Sequence, residues 1–530
     1  VSGTVQTGVL VVGFGAAGAC AALEAAEAGA DVLVLDRFEG GGATTLSGGI
    51  VYAGGGTAQQ RDAGVTDSVD AMHAYLRLEV GDVVSERTLR SFCEGSVEMI
   101  RWLERHGVPF EGSLCPEKTS YPGNRHYLYY SGSESSGGFR DAAEPAPRGH
   151  RAKGRGTSGK ALFKPLAAQV RRRATVLPQT RVRRLIQSVD GTVTGVIATT
   201  LRDAPAWARA LHRRLGQWSA KPGIYVPALR KKLHRRVVAL EERFAREIEI
   251  SAHSVILTAG GFIANREWIR ERAPAYRRGL QLGTVGDDGS GIELGRSAGG
   301  ATAGMGRVSA WRFLTPPSAF LGGLLVNERG QRVIDESRYG AAVGEELIER
   351  HGGKGWLLLD EELVRRARAQ GDVQWFQRLQ TLYLLKRGRV LGGTIAEVAR
   401  RAGVDPDGLA ETVVAADAVP DPMGKPAAFV HRFGSPPYSL VDVSIRPSLA
   451  FPCPMLTLGG LVVDEGSGRV LDGDGRPIPG LYAAGRTAVG ICSRSYVSGL
   501  SLADCVFSGR RAGNHSGRTL RELDKNENVF

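Results

Sequence analysis

The chain is short of the features that would place it at a glance. Its six cysteines (Cys20, Cys93, Cys115, Cys453, Cys492, Cys505) include no C-x-x-C pair. That argues against a zinc site and a disulfide framework, and it fits a reducing compartment. The histidines, His126 and His431 among them, are scattered without ligand spacing, so no metal is expected. No run of about 18 apolar residues occurs, so no spanning helix is expected. No charged-then-apolar leader precedes the first strand. Acids are missing from two long windows. Residues 145–189 hold twelve Lys/Arg and no Asp/Glu, and residues 207–236 hold nine and none. The net charge of +13 comes from these windows, because the remaining 47 basic and 55 acidic residues leave the rest at −8.

What is present fits a globular protein. The 530 residues are 42% hydrophobic and 23% charged, enough for a sizeable core. At ~100–200 residues per domain, two to four domains or one large elaborated one are expected. Glycine is in excess, with 72 residues set in short clusters. Such clusters mark places where backbone approaches a ligand.

Periodicity gives the order of elements. Val9–Val12 reads as a strand, followed by an alanine-rich helix to about Ala28 and a second strand over Asp31–Leu35. Residues 67–107 read as helical and 119–150 as a Tyr-, Gly- and Ser-rich loop. A basic helix follows over 157–173, then two strands around Asp190-Gly191. Ser254–Leu257 and Gly480–Ala484 read as buried strands, and a last helix as Gly499 to about Ala512. The expected fold is α/β: a discontinuous Rossmann-like nucleotide domain over 1–298 and 450–515, with an inserted α+β capping domain over 299–449. Residues 516–530 read as a frayed polar tail.

Gly13-x-Gly15-x-x-Gly18 lies between the first strand and helix, and Asp36 follows the second strand. In that context the spacing is a strong dinucleotide signal. The glycines allow a tight turn, backbone approach to a pyrophosphate and close helix–strand packing. Ala16, Ala17 and their neighbours open a helix whose free N–H groups suit phosphate. Asp36 is expected on a ribose, with Arg37 beside it.

Further segments decide the dinucleotide. Gly40–Gly49 brings Thr44, Thr45, Ser47, Gly48 and Gly49, and Thr258-Ala259-Gly260-Gly261 ends a strand. Gly286–Gly291 is a Gly/Asp turn. Gly480–Gly485 precedes the last helix, which opens with Ser501 and Leu502. This order resembles FAD enzymes of the fumarate reductase/succinate dehydrogenase flavoprotein superfamily, over nearly the whole chain. The resemblance implies FAD. No histidine lies in Gly40–Gly49, so FAD without a covalent link is expected. Arg486 departs from the pattern, which often has an acid there for the ribityl chain. No second complete G-x-G-x-x-G occurs, so no nicotinamide site is expected.

The substrate residues of fumarate-type members are replaced. Gly340 stands where an Arg would follow the Gly330–Glu336 segment, with Tyr339 beside it. Tyr496 stands where a second Arg would precede the last helix, and Pro454-Met455-Leu456 replaces a His before Thr457-Leu458-Gly459-Gly460. A dicarboxylate would lose its charge-assisted partners. A neutral, apolar carbonyl compound fits better. The pattern resembles 3-ketosteroid dehydrogenases, most of all the Δ4-(5α) branch, in Tyr496-Val497-Ser498-Gly499 and in Tyr127–Gly132. That implies α-proton abstraction and hydride transfer to flavin N5. Tyr496 and backbone N–H groups near Gly499–Leu500 are expected to polarise the ketone. Ser498 is expected to receive the proton through a relay with Tyr339, which would need a lowered pKa. Tyr127, Tyr129, Tyr130 and Gly499 are expected to line the pocket, whereas Arg332 and Glu336 are expected to pair structurally. A Δ1 dehydrogenase, an enoate reductase and a flavin-binding electron-transfer subunit remain as alternatives.

The basic windows need their own reading. In the first, Arg148, Arg151, Lys153, Arg155 and Lys160 suit FAD phosphates, the pocket rim or a solvated face. In the second, Trp207, Leu211, Leu215 and Trp218 form one helical stripe, and Leu229, Leu233, Val237 and Leu240 another. A basic amphipathic helical hairpin is expected within 202–249. Its segment 205–240 suits an anionic membrane surface or a protein partner. Nucleic acid is not an expected partner. A cytoplasmic protein, peripheral on the inner membrane face and passing electrons to a quinone, completes the expectation.

Overall fold

The run Val9–Val12 is part of strand β1 (Val5–Val12), followed by α1 (Ala16–Glu27) and β2 (Val32–Leu35). The computed structural model describes residues 5–370, 375–418 and 420–527. After the helices of 67–107 come α2 (Gly159–Arg173), β3 (Thr175–Leu177), β4 (Thr180–Gln187) and β5 (Val193–Thr200). The second basic window forms α3 (Ala206–Ala220) and α4 (Pro227–Phe244), which lead into β6 (Arg246–Leu257). Near the end of the chain stand β7 (Arg469–Leu471), β8 (Pro477–Ala483) and α6 (Leu500–Glu527).

These strands make one sheet in the order β7–β8–β6–β1–β2–β3, with β5 and β4 added through β6. The β8–β6–β1–β2–β3 run is parallel. Such a sheet is buried on both faces, which is why its strands read as unbroken apolar runs. Leu10, Val12, Leu33 and Leu35 belong to one core, and Val9, Val11, Val32 and Val34 to the other. The alternation follows the two-residue period of a strand.

A four-stranded antiparallel sheet, Leu324–Val326, Trp356–Leu359, Tyr438–Asp442 and Arg389–Gly392, lies within the expected inserted lobe. Helix α5 (Gly340–His351) also lies there. The segment boundaries are less clean than expected. Val308–Ala310 pairs with Pro454–Thr457, which pairs in turn with Leu280–Gln281.

The last helix corrects an expectation. α6 runs Leu500–Glu527 rather than stopping near Ala512, and Ser516 and Leu520 are buried. Small residues explain this. Gly509, Gly513 and Gly517 sit on Ala17, Ala21 and Ala25 of α1, and a Cβ at Gly513 would overlap the Ala21 carbonyl. Close backbone packing keeps the polar stretch helical. Of the expected tail, 528–530 lies outside the described residues.

Candidate active site

Four strands of the parallel sheet end at one edge, and each hands the chain to a cofactor segment. β1 leads into Gly13, β2 into Asp36, β6 into Thr258-Ala259-Gly260 and β8 into Ala484-Gly485. Ligands of open parallel sheets bind at this carboxyl edge. Gly13 has φ +106, and its Cβ would run into the Thr258 carbonyl; a Cβ at Gly18 would overlap the Gly13 carbonyl. Gly15 differs: a Cβ there would meet only Thr44 Oγ1, at 3.5 Å. The space before α1 is therefore open, and no side chain of the N-cap closes it.

The other cofactor residues mostly build the cradle. Asp36 accepts from the N–H groups of Phe14 (2.9 Å), Phe38 (2.7 Å) and Gly40 (3.2 Å). Burial raises its pKa, and these N–H groups oppose the rise. Two bonds fall on Oδ1 and one on Oδ2, which leaves Oδ2 a lone pair for a ribose hydroxyl. Thr44 Oγ1 accepts from Ala16 N at 3.0 Å and so caps α1. Thr45 bonds back to Gly42 O, and Ser47 bonds Thr44 O and Gly49 N. Gly48 O takes the Tyr121 hydroxyl at 2.9 Å. Gly260 O accepts from Thr487, and Gly485 N donates to Ser508. Ser501 and Leu502 lie in the first turn of α6.

The basic residues are mostly paired within the protein. Arg37, expected beside Asp36, bonds Glu241 (2.8 and 3.0 Å) and Asp288 (3.3 Å) through its guanidinium. In the first window, Arg148 is fully buried against Asp67 at 2.7 Å. Arg151 is equally buried, bonding Ser158, Asn124 and loop carbonyls that include those of Gly123 and Gly156. Both arginines hold loops together rather than cover phosphates. Lys153, Arg155 and Lys160 are exposed, and Lys153 pairs with Glu111.

Arg486, the departure from the family pattern, pairs with Asp287 and ties the Gly286–Gly291 turn to the end of β8. Its Nη1 is buried with no hydrogen-bond partner and stands beside Gly261. An orphaned donor in a cradle of bare backbone fits a bound flavin dinucleotide, whose polar atoms can satisfy it.

The pocket is built of hydroxyls and rings. Tyr339 is the N-cap of α5, and its N–H donates to Ser133 Oγ at 3.1 Å. Tyr496 stacks on Trp311 at 4.9 Å and lies 6.3 Å from Tyr339, whose ring meets the edge of Phe313 at 5.7 Å. Ser498 is buried, and its Oγ is 2.9 Å from the Tyr129 hydroxyl. Three distant parts of the chain thus meet. Gly340 explains the missing cation: a Cβ there would press into the Phe313 ring, so an Arg would displace the aromatic wall.

The phenols are held neutral. Burial pushes Tyr339 well above its ordinary pKa, and the nearby Tyr496 and Tyr129 push the same way, against hydrogen bonding to Ser498. The lowered phenol that the relay was expected to need is therefore not what Tyr339 offers, because burial and two neighbouring phenols outweigh its bond to Ser498. Burial raises Tyr496 as well, against an opposing Gly499 N–H bond. That suits a proton donor. Of the expected backbone donors, Gly499 N–H points to Tyr496, whereas Leu500 N–H bonds Val497 O.

The tyrosine loop is sorted differently from expectation. Tyr127 lies under Arg151, with the guanidinium 5.1 Å from its ring. Tyr130 sits near Glu134, Glu144 and Arg148. Tyr129 is the one that reaches Ser498, and Gly149 on the paired strand leaves room for its ring; a Cβ at Gly149 would come within 2.7 Å of it. Gly499 has φ +92 and packs on the Ile50–Tyr52 strand. Trp311 and Phe313 were missed by sequence reasoning, which offers only their aromatic character after a short strand. Arg332 and Glu336 pair at 2.7 Å, joined by Lys425 and Asp421.

A parallel sheet with this glycine cradle and an orphaned arginine at its carboxyl edge defines a dinucleotide-binding flavoprotein. A family model described as FAD binding domain matches residues 8–499. The chain belongs to that family, and its cofactor is FAD. It is 40% identical over 498 residues to a 3-oxo-5-alpha-steroid 4-dehydrogenase of Comamonas testosteroni, covering 90% of this chain and 92% of the relative. It is 27% identical over 559 residues to a 3-oxosteroid 1-dehydrogenase of Mycobacterium tuberculosis H37Rv, covering 92% and 94%. Among solved structures it is similar to the 3-ketosteroid-delta4-(5alpha)-dehydrogenase from Rhodococcus jostii RHA1 in complex with 4-androstene-3,17-dione. The TM-score is 0.81 and the identity 29%, covering 98% of each chain.

Proposed function

We propose that this flavoprotein oxidises 3-ketosteroids by introducing a double bond between C4 and C5. The observation that carries the reading is the meeting of Tyr496, Ser498, Tyr129 and Tyr339 under the aromatic wall of Trp311 and Phe313. The 40% identity to a 4-dehydrogenase favours Δ4 over Δ1, where the identity is 27%.

In this reading the ketone oxygen takes a hydrogen bond from Tyr496, whose buried phenol keeps its proton. One such donor is worth ~3 kcal/mol as enolate character develops. Ser498 is a poor base alone. It takes the C4 proton as its own hydroxyl proton passes to the Tyr129 or Tyr339 oxygen, and that phenol releases its own proton onward to solvent, so the hydroxyls are neutral before and after the step. Bound FAD supplies the hydride acceptor for the β-hydrogen. The aromatic wall excludes water and holds an apolar ring system. Residues 299–449 supply Tyr339, Trp311 and Phe313, the capping role this reading gives to them.

The outer face of the α3–α4 hairpin supports contact with an anionic bilayer. Trp207 (58% exposed), Trp218 (50%), Leu211 and Leu229 remain exposed, whereas Leu215, Leu233, Val237 and Leu240 turn inward. Each expected stripe is thus divided between the two faces. Exposed Arg213, Arg214, Lys221, Lys231 and Lys232 flank the outer one. No helix among the described residues is long and apolar enough to cross a membrane. Steroids and quinones both partition into bilayers, so a quinone is the electron acceptor this placement favours. Flotation with anionic vesicles tests the contact: binding is expected to fall sharply on Trp207→Ser/Trp218→Ser, and unchanged flotation contradicts it.

Anaerobic titration tests the activity itself. A saturated 3-ketosteroid is expected to bleach the flavin absorbance, whereas succinate leaves it unchanged. Bleaching by succinate would favour the enoate-type alternative, and no bleaching by either a non-catalytic flavin carrier.

A further inference from the structure

The inner face of the same hairpin does something its charge does not explain. It grips three loops at the carboxyl edge of the sheet. The first follows β2: Glu241 of α4 binds Arg37 through both oxygens, and His212 of α3 stacks on Phe38 at 5.5 Å with their planes 20° apart. Gly216 leaves room for that ring, since a Cβ there would meet Phe38 at 2.7 Å. The second precedes β4. Gln179 has φ +55, a left-handed conformation unusual for a residue with a side chain. Its N–H bonds Phe38 O at 2.8 Å, and its amide donates to Arg209 O at 2.8 Å, beside His212. The third is the segment 281–288 that leads into the Gly/Asp turn. Arg230 of α4, only 6% exposed, donates to Gln281 O (3.1 Å) and Gly283 O (2.8 Å).

The first loop begins at Asp36, the ribose-facing end of the cradle, the second bonds Asp36 O through Thr180 N–H at 2.9 Å, and the third carries Asp288, which bonds the neighbouring Arg37. The hairpin is therefore wired most directly to the loops around Asp36, at the adenosine end of the cofactor site. Glu241 is the hub, receiving Arg37 and His212 at 3.1 Å or closer, with Arg181 at 3.7 Å. Burial alone would raise its pKa, but the bonds from His212 and Arg37 outweigh it and hold the carboxyl at about 2. It stays charged across the working range.

We propose that the α3–α4 hairpin is a clamp on the adenosine half of FAD, with Glu241 and Arg230 as positioning residues that hold the loops at 36–39, 179–181 and 281–288 in their binding shape. The inserted element then has two faces with two tasks, and FAD retention depends on the inner one.

The test uses full-length apoprotein titrated with FAD, with ADP, and with riboflavin, which lacks the adenosine half. Glu241→Gln keeps the shape but removes the charge. It is expected to raise the Kd for FAD and for ADP by the same factor, about tenfold, and to leave riboflavin unchanged. Arg230→Gln is expected to act in the same direction through the other loop, which keeps the test open if one variant folds poorly. Trp207→Ser/Trp218→Ser, on the outer face, is expected to leave all three affinities alone. An FAD affinity within twofold of wild type in both inner-face variants overturns the proposal. So does an equal loss of riboflavin affinity, which would mean general loosening.

Discussion

At Gly13, Gly15 and Gly18 the chain offers its backbone to a ligand, whereas at Tyr129, Tyr339, Tyr496 and Ser498 it offers hydroxyls. The cradle excludes side chains and leaves little to vary: a Cβ at Gly13 or Gly18 meets a carbonyl. The pocket depends on which side chains arrive, and Gly340 decides that by leaving room for Phe313 where a cation would otherwise stand. A fixed cradle beside an exchangeable pocket lets one fold serve different substrates.

The largest effect should come from breaking the cradle. Gly18→Val is expected to yield protein without flavin, read from the 450 nm region of the spectrum; full flavin content would contradict the packing argument. Breaking the pocket should leave the cradle intact. Tyr496→Phe is expected to keep normal flavin content and lose about 10²–10³-fold in the rate of flavin reduction by steroid. Tyr129→Phe should cost less, about tenfold, because Ser498 keeps Tyr339 as an outlet; no change would remove Tyr129 from the relay. The smallest effect concerns pH. Burial raises the pKa values of Tyr339 and Tyr496, so both stay protonated as pH rises through their ordinary value near 10. The rate of flavin reduction is expected to show no descending limb from phenol ionisation below about pH 10, and a fall centred near pH 8–9 would contradict neutral phenols.

The same contrast explains what the sequence made legible. The cradle is local: strand, glycines and helix follow one another within 36 residues, and an apolar run read as a buried parallel strand is one. Tyr339, Tyr496 and Ser498 could be singled out only through family resemblance, since positions 339 and 496 share no local pattern. Which tyrosine of the 127–130 run reaches Ser498 was not legible. The choice depends on Gly149, a strand away, leaving room for the Tyr129 ring. Arg148 and Arg151 misled for a related reason. Their acid-free window looked like a solvated or phosphate-facing patch, but Asp67, distant in sequence, pairs with Arg148, and carbonyls of folded loops at Gly123 and Gly156 hold Arg151. The tail failed because its polarity hid the glycine spacing that docks it on α1.

The most direct measurement is single-turnover reduction of the purified holoprotein by a saturated 5α-3-ketosteroid without oxygen, with the product's double bond located by NMR. The expected result is rapid loss of flavin absorbance and a C4–C5 double bond in wild type, with both nearly abolished in Tyr496→Phe. A C1–C2 double bond, or a Tyr496→Phe rate equal to wild type, would contradict the assignment of this pocket.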